Sequence, residues 1–425
     1  GAFITTGIQN TLIGGLAGRA LTDADYNVAV GVGALTTDTQ GSQSTAIGYE
    51  ALKTQNFSSA TNAGNTALGY QAGKAVTTGQ YNVLIGTEAG DALTTGITNV
   101  AVGNGALSAD VAGHRTVAVG YNSLRLQTYA SSTNSGNTAV GFNTGQALTS
   151  GINNTFIGLQ AGQSFTDADY NTAIGQQALV TDTKGSRSTA VGAGALATQN
   201  FTSATNTNNT AVGYGAGVAV TTGTDNTLIG ADAGDALTTG TYNTVLGKNA
   251  LGSDDVGNTT TAIGFQALYS QNFSSSTSSF NTAVGYDNMY SLTTGIYNTS
   301  VGYQAGYRIT TGANNTLLGY TAGDQITDGA YNTVVGFAAM THDRNTNGNR
   351  NTLIGAFADT SDADSDDQII LGYNVIGTGN NAFTFGKDGT DSNIDFGATS
   401  ITAPSDERYK EEITTSTAGL SFIND

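Results

Sequence analysis

A short glycine-containing motif recurs along most of the chain and restricts its fold more than any other feature. Asn10-Thr-Leu-Ile-Gly14 returns as Asn27-Val-Ala-Val-Gly31 and continues to Asn351-Thr-Leu-Ile-Gly355. The spacing between successive glycines is 17 three times and then 21, with a single 19 near the end, so four short units form a 72-residue super-repeat. A 17-residue unit is too short for a helical-hairpin repeat and too long for a heptad, but it suits one coil of a β-solenoid.

The residue types around the glycine agree with this interpretation. The residue before it is Ile, Val or Leu in all 20 units from Gly14 to Gly355, and β-branched residues favour a pleated strand. The residue three after it is Ala in 17 of those 20 units, which indicates a corner that admits only a small side chain. A second turn follows, usually Thr-Thr-Gly as at 94–96, and turn-forming Gly and Asn supply positive φ values there. The one proline, Pro404, lies outside the repeats, since proline cannot donate to the next coil.

We therefore predict an all-β, parallel β-solenoid (β-roll) of about 21 coils over residues 1–372. The predicted strand is often apolar on both faces, because the residue two before the glycine is also apolar at Leu12, Phe156, Leu228, Leu317 and Leu353. One face fills the coil. The other face needs a second buried surface, most simply a parallel copy of the same chain, so we predict a homo-oligomer. Coils stacked about 4.8 Å apart would form a rod roughly 100 Å long.

Charge and composition exclude several classes of function. The formal net charge is −18, the isoelectric point is near 4.1, and the chain has no basic run. A nucleic-acid-binding protein needs a cationic surface, and an anionic membrane surface would repel this chain. The sequence has no apolar run long enough to span a bilayer as a helix, so we expect no membrane insertion and no nucleic-acid partner.

The repeats resemble those of a known family. Ser44-Thr-Ala-Ile-Gly-Tyr-Glu-Ala51 and Ser188-Thr-Ala-Val-Gly-Ala-Gly-Ala195 look like the head repeats of trimeric autotransporter adhesins, in which three chains build a left-handed parallel β-roll. The repeats of that family are shorter than those of this chain, so the resemblance does not define the cross-section of the coil. It implies a homotrimer, whereas the strand pattern by itself indicates only an oligomer.

The pattern changes after Gly372, where the 17-residue period stops. Asn381-Ala-Phe-Thr-Phe-Gly386 and Asn393-Ile-Asp-Phe-Gly397 are typical of short strands, so we predict a β neck over residues 373–403. Residues 405–413 form a charged run that is compatible with the start of a C-terminal helix, which Ser405 can cap. Asp406 and Glu407 would stabilise its first turn through the helix dipole.

Residues 404–425 also resemble the entry motif of the endosialidase-type intramolecular chaperone (peptidase S74), which follows many bacteriophage tail fibres and tailspikes. The resemblance runs from Pro404 to Asn424 and implies that a chaperone domain, continuing past Asp425, trimerises the fibre. It further implies self-cleavage beside the motif serine, with Ser405 and Lys410 as the dyad. A lysine whose pKa is lowered by its surroundings can serve as the base for a serine. The alternative is that Ser405 is an ordinary helix cap.

Each 21-residue unit contains an insert with one aromatic residue, and these residues are 72 positions apart: Phe57, Tyr129, Phe201 and Phe273. They are candidates for ligand contact, but the favoured interpretation is that each ring packs between coils. A ladder of tyrosines lies one residue after the motif glycine, and stacking between neighbouring coils is enough to explain it: Tyr49, Tyr70, Tyr121, Tyr214, Tyr286, Tyr303 and Tyr320. An ice-binding array on the Thr-Thr-Gly corners is less favoured, because Thr is simply a good strand and turn residue.

Residues that could carry chemistry are few. The chain has no cysteine, and His114 and His342 are its two histidines. They are far apart in the repeat, so they do not predict a metal site or a catalytic triad. Carboxylates recur in turns at Asp23, Asp25, Asp167 and Asp169, where Asp commonly binds its own backbone.

A paired glycosidase site stays open, although no carboxylate is singled out as its acid or base. Asp362, Asp364 and Asp366 resemble the start of a calcium loop, but Asp367 and Tyr373 stand where an EF-hand has Gly and Glu. They are a weak Ca²⁺ candidate beside a solvated acidic turn. We expect no cofactor and no enzyme activity apart from single-turnover self-cleavage.

Together these patterns favour a structural and adhesive fibre shaft, most simply a phage tail fibre located on the virion tail or an extracellular surface. Its expected partners are two further copies of the chain, other tail or baseplate proteins, and a glycan or protein receptor on the host. One alternative is a bacterial surface adhesin or extracellular filament. A second alternative is a tailspike that degrades surface polysaccharide.

Overall fold

The computed structural model describes residues 3–341 and 347–398. Within these two ranges the chain is an all-β parallel β-solenoid of about 22 turns, and it contains no helix. Each coil contributes a strand that pairs in parallel with the strand of the next coil, for example Thr11 with Val28 and Ile13 with Val30. The predicted fold class and the 17-residue coil are therefore confirmed.

The strands are short, and most end one residue before a motif glycine. Twenty three-residue strands of the long sheet are Thr11–Ile13, Val28–Val30, Thr45–Ile47, Thr66–Leu68, Val83–Ile85, Val100–Val102, Val117–Val119, Thr138–Val140, Thr155–Ile157, Thr172–Ile174, Thr189–Val191, Thr210–Val212, Thr227–Ile229, Thr244–Leu246, Thr261–Ile263, Thr282–Val284, Thr299–Val301, Thr316–Leu318, Thr333–Val335 and Thr352–Ile354. Four two-stranded parallel sheets lie beside the inserts: Gly41–Ser42 with Thr61–Asn62, Gly113–His114 with Thr133–Asn134, Gly185–Ser186 with Thr205–Asn206, and Gly257–Asn258 with Thr277–Ser278.

The structure decides which strand face fills the coil. The middle residue of the strand, two before the glycine, is fully buried, as at Ala29, Leu84 and Phe156. The corner residue three after the glycine is also buried, which confirms the restriction to small side chains. Its polar exceptions bond to the backbone: Thr144 Oγ1 donates to Gly158 O at 2.8 Å, and Asn288 Nδ2 donates to Gly302 O at 2.9 Å.

Two further positions share the remaining volume of the core. Where the residue four after the motif glycine is Leu, as at Leu52, the residue seven after it is polar, as at Gln55. Where the former is Gly, as at Gly73, the latter is apolar, as at Val76. A Cβ on Gly73 would lie 2.6 Å from Leu84 Cδ1, so the core has no room for a side chain there. The two positions therefore alternate in size.

The motif glycines stack directly on one another. Gly14 has a φ of +125°, and a Cβ on it would lie 2.8 Å from the carbonyl of Gly31. A side chain is therefore excluded by close backbone approach as well as by backbone conformation. Other corners adopt positive φ without glycine: Tyr26 and Tyr331 both have a φ of 59°. The sequence analysis expected Gly and Asn to supply the positive φ values of the second turn, but in the turn at 94–96 and after it the positive φ belongs to Thr98, at 57°, and not to Gly96.

A buried asparagine ladder follows the coils, four residues before most of the motif glycines. Asn82 Oδ1 accepts from the backbone N–H of Asn99 at 2.9 Å, while Asn82 Nδ2 donates to Gly96 O at 2.9 Å. The same two bonds recur in most coils, for example at Asn226 and Asn298. Each asparagine therefore ties its strand to the next coil twice, at the corner glycine and at the following asparagine, and satisfies buried backbone groups that would otherwise be costly.

The predicted neck strands are present and continue the long sheet. Gln368–Tyr373 pairs in parallel with Thr352–Ile354 and with Ala382–Lys387, and Ser392–Asp395 then adds an antiparallel strand. Gly372 pairs with Gly386, so the coil between them is shorter than the coils of the shaft. The antiparallel strand ends the parallel stacking, which leaves a different edge from that of the shaft.

Candidate interaction surface of the shaft

Several residues of interest from the sequence analysis lie outside the described part of the chain. Ser405, Lys410 and the expected helix start lie outside the described residues, as does His342. The self-cleaving dyad therefore stays a prediction.

The insert aromatics pack inside the rod. Phe57, Tyr129, Phe201 and Phe273 are each less than a tenth exposed, as the packing interpretation expects. Tyr129 OH donates to Gly151 O at 2.6 Å, and burial raises the pKa of the Tyr129 hydroxyl well above its usual value. These rings therefore hold the insert against the coils and present no open face to a ligand.

A buried carboxylate lies beneath each insert, and sequence reasoning missed it. Asp38 Oδ1 accepts from the N–H of Gly41 at 3.0 Å and from the N–H of Phe57 at 3.2 Å, while its Oδ2 accepts from Gln55 Nε2 at 2.6 Å. Gln55 also bonds to Ser44 Oγ at 3.0 Å. We call this group the insert cluster.

The insert cluster occurs four times, and its glutamine replaces a missing step of the asparagine ladder. Gln55 Oε1 accepts from Asn65 Nδ2 at 2.8 Å, because Ser44 occupies the ladder position and has no carboxamide. The other copies are Asp110 with Gln127, Asp182 with Gln199, and Asp254 with Gln271. Their 72-residue spacing is the sequence signal that could have revealed them.

Burial raises the pKa of Asp110 and of Asp254, but neither carboxyl is accessible to a substrate. A raised carboxyl pKa often marks a functional site. Here each carboxyl is bonded to its own insert, so the insert cluster is a structural element of the shaft.

The recurrent turn carboxylates join coils. Asp25 Oδ1 accepts from the N–H of Ile8 at 2.7 Å, and Asp169 Oδ1 accepts from the N–H of Ile152 at 2.7 Å. His114 occupies the equivalent position, and its Nδ1 accepts from the N–H of Ile97 at 2.9 Å. These side chains therefore bind the backbone of the preceding coil, rather than their own backbone as the sequence suggested.

Asp362, Asp364 and Asp366 lie close together in sequence but do not form a metal site. Asp366 Oδ1 accepts from the N–H of Asn349 at 2.8 Å, and Asp366 Oδ2 lies 3.5 Å from Arg350. Across residues 3–341 and 347–398, no group of three or more His, Asp or Glu side chains is arranged to hold a metal ion.

An aliphatic stripe runs along the outside of the long sheet. It consists of the residue immediately before each motif glycine, from Ile13 to Ile354, and we call it the outer stripe. Ile13 is 59% exposed, and Leu246, Leu318 and Ile354 are each 45% exposed. Thr or Val lies two residues earlier in the same strand. Seven of its 20 members are exposed and the other 13 are partly exposed, so the outer stripe is uncharged, continuous from coil to coil and at least partly accessible in the single chain.

A second outward feature is the aromatic column, formed by residues one after the motif glycine. Five consecutive members stack with ring centroids 5.0 to 5.4 Å apart: Phe265, Tyr286, Tyr303, Tyr320 and Phe337. Tyr49 stacks on Tyr70 and Tyr121 on Phe142 in the same way. The predicted cross-coil stacking is confirmed for six of the seven tyrosines of the ladder, and Tyr214 is the exception. Because neighbouring rings cover one another, these stacked members expose mainly their edges.

Comparison with known proteins does not assign the chain to a family. No protein-family model matches the chain, and no curated protein is significantly similar to it in sequence. Among the described residues there is also no helix long and apolar enough to cross a membrane.

Proposed function

We propose that this protein is the shaft of a homotrimeric extracellular fibre, most simply a bacteriophage tail fibre that attaches to a host surface. The observation that carries the proposal is the outer stripe. Soluble monomers rarely expose a continuous apolar patch larger than a few hundred Å². Here the stripe follows the sheet for about 20 coils, roughly 100 Å at the inter-strand spacing.

A second copy of the same chain is the occupant that fits this surface. The stripe repeats once per coil, and a partner that contacts all of it needs the same coil spacing. Another copy lying parallel and in register supplies that spacing and the same uncharged surface. The formal charge of −18 also favours uncharged contacts, since like charges would repel wherever charged faces met.

The number of chains and the biological setting depend on the resemblances. The likeness of the repeats to trimeric autotransporter heads supports three chains. The likeness of residues 404–425 to the intramolecular chaperone supports a tail fibre, matured by cleavage beside Ser405. We propose that other tail or baseplate proteins hold one end, while the exposed shaft surface contacts a host glycan or protein.

The decisive measurement is the native and denatured mass of the protein from its natural source. We expect a particle of three chains. A chain that ends at Pro404 would support cleavage, and Ser405→Ala and Lys410→Ala in the full-length gene should then each leave the chain uncut. A native monomer would contradict the fibre, and uncut chains in the unsubstituted protein would make Ser405 a helix cap.

A charge on the outer stripe tests the interface directly. Leu246→Glu and Leu318→Glu place a carboxylate on a side chain that is already half-exposed in the single chain, so each should leave the coil folded. In an oligomer the same carboxylate would be buried without a partner and should dissociate the particle. Thr95→Glu, on an exposed corner away from the stripe, is the matched control. Trimers that tolerate both stripe substitutions as well as the control would show that the interface lies elsewhere.

A further inference from the structure

Tyr214 departs from the rest of the aromatic column. The equivalent residues in the neighbouring coils are Ala193 and Ala231, whereas most other tyrosines of the column have an aromatic neighbour. Tyr214 is 69% exposed, more than any other large hydrophobic side chain of the described residues. Both faces of this ring therefore border alanine instead of another ring.

The missing rings leave a recess of about 360 Å³ beside Tyr214. Its walls include the side chains of Gln176, Gln177, Val218 and Asp232, and Gly194 forms part of its floor. A Cβ on Gly194 would meet no atom within 4 Å, so the space above this glycine is open. The recess lies within the usual size range of small-molecule sites.

The recess is preformed by bonds between coils. Gly194 N–H donates to Gln176 O at 2.9 Å, Gly215 N–H donates to Ala193 O at 3.0 Å, and Asp232 N–H donates to Tyr214 O at 2.8 Å. These bonds fix the backbone beneath the polar side chains, so little ordering is required when a ligand binds.

The chemistry of the recess suits one pyranose ring of a neutral glycan. The negative face of an aromatic ring attracts the weakly positive C–H groups on the flat face of a sugar. Gln carboxamides supply both donors and acceptors for sugar hydroxyls, and the Asp232 carboxylate accepts from them. The carboxylate and the net charge of −18 disfavour acidic sugars.

We infer that the recess formed by Gln176, Gln177, Gly194, Tyr214 and Asp232 is a saccharide-binding site on the side of the shaft. The inference names the ligand class for the attachment role proposed above, and its biological meaning rests on that proposed function. The candidate ligand contact is therefore Tyr214, whose ring faces are open, and not the aromatic residues of the inserts, which are buried.

The test uses two probes, cellohexaose and N-acetylchitohexaose, whose equatorial substituents leave flat C–H faces. Saturation-transfer NMR on the full chain should show transfer to the ring protons of at least one probe. Tyr214→Ala should weaken that binding at least tenfold. Gly194→Gln should do the same by filling the recess, because Gln177 already occupies the equivalent position of the preceding coil with a φ of 57°.

Tyr303→Ala is the matched control, since Tyr303 is stacked on both faces by Tyr286 and Tyr320. It should bind the probe as the unsubstituted chain does. No transfer to either probe would overturn the inference, as would binding that survives both Tyr214→Ala and Gly194→Gln, or that Tyr303→Ala abolishes equally. Native mass measured on the same samples separates the two proposals. A trimer that does not bind either probe would contradict only the saccharide site, and a monomer that binds a probe would contradict only the trimeric fibre.

Discussion

The 17-residue coils and the 21-residue coils contribute strands to the same long sheet but have different interiors. A plain coil such as that of Gly86 fills its centre with apolar side chains, including Leu84 and Leu93, and continues the asparagine ladder at Asn82. A coil with an insert has a polar centre, in which Gln55 and its equivalents bind a buried carboxylate of the preceding 17-residue coil and replace the missing ladder amide. The insert therefore depends on a buried polar anchor, which the core tolerates because its polar atoms are paired.

The largest effect should come from emptying a plain coil. Phe156 is fully buried and stacks on Phe165 with ring centroids 5.4 Å apart, so Phe156→Ala leaves a cavity. We expect a loss of about 3–5 kcal/mol in the free energy of local opening, measured by hydrogen exchange of the amides in that coil. Leu159→Ala, on the outside of the same coil, should change it by less than about 0.5 kcal/mol. Equal effects would mean that the interior of the coil is not close-packed.

The next effect should come from breaking an insert cluster. Gln127→Leu keeps the side-chain volume but removes partners from Asp110 Oδ2 at 2.8 Å and from Asn137 Nδ2 at 2.9 Å. We expect about 2–3 kcal/mol less protection, confined to the insert around Tyr129, because buried polar atoms would lose their partners. Limited proteolysis and hydrogen exchange would measure it. Gln163→Leu removes a partly buried hydrogen bond between the side chains of Gln163 and Gln146 in a plain coil, and it should have little effect. An insert as protected as before would show that the cluster is not its anchor.

Asp324 tests what happens to a carboxylate without such an anchor. It lies in a plain coil, burial raises its pKa to about 6, and its buried Oδ1 has no hydrogen-bond partner among the described residues. A carboxyl with a raised pKa in the folded state binds more protons folded than unfolded, so stability falls as the pH rises. The fall should occur between about pH 4 and pH 6 and level off above that range.

Asp324→Asn should remove this fall and make the protein about 1 kcal/mol more stable at pH 7, after allowance for solvent screening of a half-exposed group. Thermal unfolding of both proteins at pH 4, 5, 6 and 7 would measure the difference. Parallel curves for the two proteins would contradict the assignment.

The smallest effect should come from making the four inserts alike. Tyr129→Phe gives this insert the residue found at Phe57, Phe201 and Phe273, and removes the bond of 2.6 Å to Gly151 O. Gly151 O still accepts from Asn137 Nδ2 at 2.7 Å, so we expect a loss of only about 0.5–1 kcal/mol. Hydrogen exchange of the insert amides would measure it, and a loss above about 2 kcal/mol would show that the hydroxyl has a larger structural role.

The repeat, the all-β solenoid and the approximate number of coils follow from the sequence without reference to tertiary contacts. Equal repeats that cannot fold alone must stack, and the glycine spacing gives the length of each coil. The alanine corner and the stacking of the aromatic column were predicted for the same reason, because every residue at these positions meets its own equivalent one coil away. The residue that each one meets can be read from the sequence, one repeat earlier or later.

Which residues face inward depends on how the coil closes. Both faces of the strand are apolar, so alternation alone does not separate Leu84 from Ile85; closure of the coil buries the former and leaves the latter partly exposed. Closure also brings Asp38 and Gln55 together across neighbouring coils and opens the recess at Tyr214 between two alanines. These features depend on the path of the corners, where residues as large as Tyr26 adopt positive φ, and no local preference of the sequence specifies that path.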